Sequence, residues 1–134
     1  MGREEYIMQL AALEQEATKF QEQMQMLDQQ ASEIMAIQDS LHELDKSKEK
    51  TIYANIGKNI FVKTEIIDKN LLVDVGNKTF LKKNIPDTLK VVEEQLSKIA
   101  EAKNKIIERL QELQQQMEAI VEQAEKEVEK EEVK

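Results

Sequence analysis

The chain has 134 residues and a formal net charge of −8, with 34% charged and only 4% aromatic residues. Three glycines and one proline are too few for the many turns of a β-sandwich or barrel, so the composition favours long uninterrupted helices. The lack of cysteine excludes disulfides, iron–sulfur clusters and thiolate metal sites, and the acidic balance argues against general nucleic-acid binding.

Charge is segregated along the chain. Residues 1–45 carry two basic and ten acidic residues, residues 46–90 carry ten lysines and five acids, and residues 91–134 carry seven bases and twelve acids. The basic middle is most simply a solvated lysine-rich surface, although it could also contact an acidic partner. No apolar run is long enough for a membrane span, and no basic-then-apolar leader is present, so we expect a cytoplasmic protein.

Residues 1–50 are predicted to form one helix, because apolar side chains recur at alternating steps of four and three. This heptad pattern is typical of a coiled coil and requires a partner helix. Ile37 follows Ile34 by three residues where four are due, which predicts a local disturbance of the supercoil. The predicted seam contains Tyr6, Leu10, Leu13, Ala17, Phe20, Met24, Leu27, Ala31 and Ile34, followed by Ile37, Leu41 and Leu44.

Residues 51–83 change to an apolar period of two. Their β-branched and aromatic residues, bounded by Gly, Asn and Asp, predict strands at 51–56, 60–67, 71–75 and 78–83. Residues 56–63 also align with residues 75–82 at an offset of 19, which places Gly57 on Gly76 and Phe61 on Phe80. We therefore expect two β-hairpins of one plan.

These hairpins are expected to join subunits. Two hairpins alone are marginally stable in water, and open edges with apolar residues on both faces favour pairing with other chains. The alternative is that Phe61 and Phe80 each pack only on their own hairpin. The predicted oligomerisation residues are Ile56, Ile60, Phe61, Val62, Ile66, Val73, Val75, Phe80 and Leu81.

Residues 84–130 are predicted to form the second coiled-coil helix, and residues 131–134 a frayed tail. Asn84 suits the N-cap, and Pro86 in the first turn loses little by lacking an N–H group. Only Lys103 interrupts the apolar stripe, and its stem can cover apolar surface. The stripe contains Leu89, Val92, Leu96, Ile99, Lys103, Ile106, Leu110, Leu113, Met117, Ile120 and Ala124.

Together these elements predict one α+β domain over residues 1–134. Its two helices form a long antiparallel coiled coil, and its two central β-hairpins oligomerise into a β-barrel-type hub. No enzyme and no cofactor are expected. The single histidine, His42, has no partner at metal-ligand spacing, and the segment around Lys58 lacks the residues of a phosphate-binding loop.

A helix, two hairpins and a helix in about this length resemble the alpha class of prefoldin subunits. The specific signature is a glycine turn followed by an apolar–aromatic–apolar strand, which occurs here as Gly57 with residues 60–62 and as Gly76 with residues 80–81. The beta class would carry one hairpin, so the repeat favours the alpha class. This chain departs from the family's Gly-x-Gly turns at Asn59 and Lys78, of which Asn better tolerates the left-handed conformation.

The resemblance implies an ATP-independent holdase whose subunits join through their hairpins. It also implies that the coiled-coil tips bind non-native polypeptides, which pass to a group II chaperonin. The implied partners are therefore unfolded chains, the chaperonin, and either beta-class prefoldin subunits or further copies of this chain.

Apolar residues at the free ends of the helices fit such a role. Some lie off the predicted seam, although Ile7 and Met8 could instead simply widen the helix–helix contact. The predicted unfolded-substrate residues are Tyr6, Ile7, Met8, Leu10, Leu13, Met117, Ile120, Val121, Ala124 and Val128.

Two other functions remain open at the level of sequence. The hairpins could polymerise the chain into structural filaments, because open strand edges permit either a closed ring or an endless chain. A third, weaker hypothesis is an acidic adaptor for a basic partner, whose binding would fade sharply with salt.

Overall fold

The computed structural model describes residues 2–133, with side chains to Glu131. Two long helices flank four strands, which pair as two small antiparallel β-hairpins, and this confirms the predicted α+β fold. None of the described helices is apolar over a stretch long enough to cross a membrane. The elements are α1 Arg3–Lys46, β1 Thr51–Gly57, β2 Ile60–Glu65, β3 Leu71–Asp74, β4 Phe80–Lys83 and α2 Ile85–Val133.

The described chain divides into two compact units, and each contains part of both helices. The terminal unit comprises residues 2–30 and 98–133, and the hairpin unit comprises residues 31–97. In the terminal unit Glu16 pairs with Arg109 at 2.9 Å, and Asp28 pairs with Lys103. The partner's number falls along α2 as the number rises along α1, so the helices are antiparallel. The buried apolar side chains of this unit are Tyr6, Ile106 and Leu113.

The heptad pattern identifies the buried faces of the helices. Every predicted seam position on α2 is buried or half-buried, including Lys103. On α1 the exception is Ile37, which is 52% exposed, while Gln38 is half-buried in its place. The predicted three-residue step after Ile34 is therefore wrong. A continuous helix turns about 100° per residue, so the fourth residue returns to the seam whatever its polarity.

Helix α2 begins at the predicted cap. The Asn84 Oδ1 atom accepts a hydrogen bond of 2.8 Å from the Asp87 N–H, and the Asn84 carbonyl accepts bonds from the backbone and hydroxyl of Thr88. Pro86 lies in the first turn, where its ring fits the helical φ. The helix continues to Val133, while fraying over 131–134 stays a prediction and Lys134 lies outside the described residues.

The core of the hairpin unit joins both helices to the second hairpin. Leu41, Ile85 and Val92 are buried together. Lys69, between the hairpins, donates hydrogen bonds to the carbonyls of Asp45 and Ser47 at 3.3 and 3.0 Å, which ties the connection to the end of α1. The half-buried residues packed against this core are Ile34, Leu44, Leu71, Leu89 and Leu96.

Each hairpin forms its own two-stranded sheet within the described residues. In the first, Tyr53 pairs with Lys63, and in the second Leu72 pairs with Lys82, nineteen residues further on. The two hairpins therefore share one register, as the repeat predicts. Because each sheet has two strands, both outer edges of each hairpin lack a ladder partner, which is the condition for adding a strand from another chain.

Candidate protein-binding surfaces

The start of α1 presents apolar side chains to solvent. Tyr6 is buried against α2, whereas Ile7 is 57% and Met8 is 71% exposed. Successive helical residues are about 100° apart, so the two residues after a seam position point away from the partner helix. Most of the surface of Ile7 and Met8 therefore lies outside the helix–helix contact.

The opposing part of α2 completes this surface. Val121 and Val128 are exposed, and a groove of about 900 Å³ runs between the helices beside them. We call it the terminal groove. Of the ten predicted substrate residues it brings together Tyr6, Ile7, Leu10, Val121, Ala124 and Val128.

The other four predicted substrate residues lie outside the terminal groove. Met8 is exposed beside it, whereas Leu13, Met117 and Ile120 are half-buried seam residues. Met117 lines a second groove, which shares Leu10 and Val121 with the first. Apolar side chains thus continue from one groove into the next.

The rims of these grooves are acidic, which the sequence analysis did not single out. The terminal groove is lined by Arg3 and by four glutamates, and the second groove contributes three further glutamates. The glutamates are Glu125, Glu127, Glu129 and Glu131 in the terminal groove, and Glu14, Glu118 and Glu122 in the second, which also shares Glu125.

Tyr6 reports the electrostatics of the terminal groove. Burial raises the pKa of its hydroxyl, and the neighbouring carboxylates of Glu127 and Glu5 raise this pKa further. Both effects disfavour the tyrosinate, the first by removing water and the second by repulsion. Together with the four glutamates that line the groove, the contribution of Glu127 and Glu5 to this shift indicates a negative potential there.

The hairpins form the second candidate surface. Phe61 is 56% and Phe80 is 59% exposed, so packing on their own hairpin leaves more than half of each ring open. Of the nine predicted oligomerisation residues, Ile66 and Val73 are half-buried and the other seven are exposed. So many exposed aliphatic and aromatic groups indicate a surface whose burial by another chain would be energetically favourable.

The registers show which residues share a face. Residues on one strand alternate between faces, so Tyr53 lies on the face of Phe61, and Leu72 lies on the face of Phe80. Tyr53 and Leu72 are highly exposed and were absent from the predicted set. They are related by the same offset of 19. Combining this repeat with the alternation of side chains between the two faces of a strand would have identified them from the sequence.

Both hairpin turns have left-handed backbone. Lys58 and Asn59 have φ of 49° and 61°, and Asn77 and Lys78 have φ of 52° and 58°. Two consecutive residues of positive φ are the geometry of a type I′ turn, whose twist matches that of the flanking strands. Gly57 and Gly76 precede these residues, also at positive φ.

Among the described side chains, no group of three or more His, Asp or Glu is arranged to hold a metal ion. His42 is exposed on α1. The two surfaces offer apolar area and charge, which are the interactions that protein–protein contacts use.

The chain is similar to known prefoldins in sequence and structure. The family profile described as "Prefoldin: Prefoldin subunit" matches residues 13–130. A filamentous PFD from Methanocaldococcus jannaschii, solved by cryo-EM, superimposes with a TM-score of 0.74 at 17% identity, covering 90% of this chain and 98% of that one. No curated protein matches the sequence.

Proposed function

Because the chain belongs to the prefoldin family, we propose that it is a subunit of an ATP-independent chaperone that holds unfolded polypeptides. Prefoldins are non-enzymatic chaperones, so binding alone has to provide the activity. Client binding is assigned to the apolar surface at the ends of the helices, and assembly to the β-hairpins. Bound clients would then pass to a group II chaperonin.

One observation carries the client-binding proposal, namely the exposed apolar side chains around the terminal groove. Ile7, Met8, Val121 and Val128 leave apolar surface in water on a single pair of helices. Unfolded polypeptides expose apolar groups that such a surface can cover, and flexible methionine adapts to many shapes. Covering these groups removes them from water, which also suppresses aggregation.

Assembly is supported by the two hairpins with unpaired edges. Exposed Phe61 and Phe80, with the exposed strand edges beside them, can be covered by hairpins of other subunits. The partners would be beta-class prefoldin subunits or further copies of this chain.

A self-assembled filament is the second candidate structure. The M. jannaschii protein that shares this fold is described as filamentous. The two hairpins here have one register, so one type of hairpin contact could repeat from copy to copy without closing. Electron microscopy of the pure chain separates discrete particles from rods, and native mass measurement with a beta-class prefoldin tests the mixed assembly.

The client-binding proposal is tested by replacing Ile7, Met8 and Val121 with Gln. Suppression of the aggregation of a chemically denatured protein should fall several-fold, because the exposed apolar area near the groove is lost. The control replaces Ile107, Met26 and Met35 with Gln, since these side chains are also exposed but lie elsewhere on the helices. It should retain full activity and the same oligomeric mass.

Removal of residues 1–12 and 118–134 is the more drastic test. Aggregation suppression should be abolished while the assembly remains. Unchanged suppression after this removal would refute client binding at the ends of the helices. An equal loss of suppression in the Ile107, Met26 and Met35 control variant would refute it as well.

Delivery is tested separately, by asking whether a group II chaperonin with ATP recovers folded client from the complex.

A further inference from the structure

The two adjoining grooves at the helix ends combine an apolar floor with an acidic rim. Leu10 and Val121 belong to both grooves, with Ile7 and Val128 at one end and Met117 at the other. An extended segment of an unfolded chain could therefore place several apolar side chains along one continuous floor.

Carboxylates dominate the charge along this floor. Among the described side chains that line the two grooves, seven are glutamates and one, Arg3, is basic. Lys126 pairs with Glu122 at 3.6 Å, but Lys126 and Lys130 line neither groove and belong instead to a separate surface pocket on α2. No lysine or arginine among the described side chains forms an ion pair with Glu125 or Glu129.

This acidity distinguishes the helix ends from the hairpin segment. The net charge of residues 46–90 is positive, because ten lysines outnumber five acids. The raised pKa of Tyr6 is consistent with a negative potential inside the terminal groove, since Glu127 and Glu5 contribute to it. The exposed apolar groups of these grooves therefore lie beside negative charge, whereas those of the hairpins lie in a basic segment.

We propose that these grooves select unfolded segments in which apolar residues are flanked by lysine or arginine. The proposal rests on the function proposed above and specifies the class of client. The apolar residues would cover the floor, and the flanking cations would lie against the glutamates of the rim.

The expected effect is a preference and not an absolute requirement. Each exposed ion pair contributes little, so a few of them together should change the affinity roughly three- to tenfold. Apolar burial supplies the common part of the affinity, while the charges rank one client above another and accelerate encounter.

The test uses three labelled peptides with one apolar core, flanked on both sides by lysines, serines or glutamates. Fluorescence anisotropy with the assembled full-length protein measures their binding at low and high salt. The lysine peptide should bind roughly three- to tenfold more tightly than the serine peptide, and the glutamate peptide most weakly. At about 1 M salt, where the screening length falls to about 3 Å, the three affinities should converge.

A charge-removing pair of variants locates the effect. Glu125→Gln with Glu129→Gln should reduce the preference for lysine over serine by at least about half. The control, Glu93→Gln with Glu101→Gln, removes the same charge from exposed positions of α2 that line neither groove. The two variants have the same total charge, so the control should keep the preference because its glutamates lie away from the grooves.

The outcomes separate this inference from the function on which it rests. Equal binding of the three peptides at low salt would overturn the selectivity and leave the chaperone function intact, as would equal loss of preference in both variants. If none of the peptides binds and the protein also fails to suppress aggregation, the proposed function itself is wrong.

Discussion

Two lysines in the hairpin turns have backbone angles that lysine rarely adopts. Lys58 and Lys78 have φ of 49° and 58°. In this region the Cβ atom crowds the backbone of an L-residue, at a cost of about 1–2 kcal/mol, whereas glycine has no such cost. Hairpin geometry therefore overrides the preference of these residues.

We expect Lys78→Gly to stabilise the protein by about 0.5–1 kcal/mol, since glycine relieves the crowding but gains entropy when unfolded. Urea titration at fixed protein concentration measures the free energy of unfolding. The control is Lys63→Gly in β2, an ordinary strand position, which should destabilise by about 0.5–1 kcal/mol. A loss of stability in both variants would contradict the crowding argument.

Tyr6 is the residue whose titration links pH to the packing of the helix ends. Its pKa in the folded protein is raised above the ordinary value of 10.0, by burial and then by Glu127 and Glu5. The neutral phenol is therefore favoured by folding. Its contribution to stability is fully present below the unfolded-state pKa and is lost as the pH rises through the folded-state pKa.

In a Tyr53→Phe background Tyr6 is the only tyrosine, so ultraviolet absorbance follows its ionisation directly. We expect tyrosinate to form at a pH above 10 and the stability to fall over the same range. Tyr6→Phe should remove this part of the pH dependence. A Tyr6 titration at or below the ordinary value would show that the groove is neither dry nor negative.

At the scale of elements, local chemistry explains which predictions succeeded. The Asn84 cap, the glycine turns and the change of apolar period are short-range signals, and they predicted the start of α2 and both hairpins. Gln38 shows the limit of this reasoning. Gln38 lies in the seam because α1 continues without interruption. A prediction based on polarity alone instead selects the neighbouring Ile37, which is apolar but exposed.

The candidate surfaces could be predicted only in part from the sequence. Heptad phase was enough to identify Ile7 and Met8 as off-seam residues. The acidic rim depends on which glutamates of α2 lie next to the groove, and the outer faces of the hairpins depend on strand parity and register. Tyr53 and Leu72 were missed because the prediction did not combine the sequence repeat with the alternation of faces along each strand.

The seam position of Gln38 gives a prediction for α1. Gln38→Leu should stabilise the protein by about 1 kcal/mol, because a half-buried polar group is replaced by an apolar one. Ile37→Gln should change the free energy of unfolding by less than about 0.5 kcal/mol, since this side chain is mostly in water. Thermal and urea unfolding measure both. The opposite ranking would place Ile37 in the seam after all.

At the scale of the whole molecule, the hairpins carry more exposed apolar surface than a solitary chain readily keeps in water. Phe61 and Phe80 occupy equivalent positions in the two hairpins, and both rings are more than half exposed. If they form the subunit contacts, the stability of the assembly depends on protein concentration.

We expect Phe61→Ser combined with Phe80→Ser to leave helical monomers or dimers, because the main apolar groups of both hairpins are lost. Sedimentation velocity gives the mass and circular dichroism gives the helix content. Met26→Ser with Met35→Ser removes exposed apolar groups from α1 and should leave the assembly unchanged. Retention of the full oligomer by the double phenylalanine variant would place the subunit contacts elsewhere.

The common register of the two hairpins has a consequence for stoichiometry. A chain with two equivalent adhesive modules has a valence of two and can link one neighbour to another. If assembly proceeds through these modules, a chain with only one intact hairpin would end the assembly at that point. The ratio of one-hairpin to two-hairpin chains would then set the length of the assembly. The repeat of the hairpin at an offset of nineteen residues would thus allow the number of subunits in the assembly to be controlled.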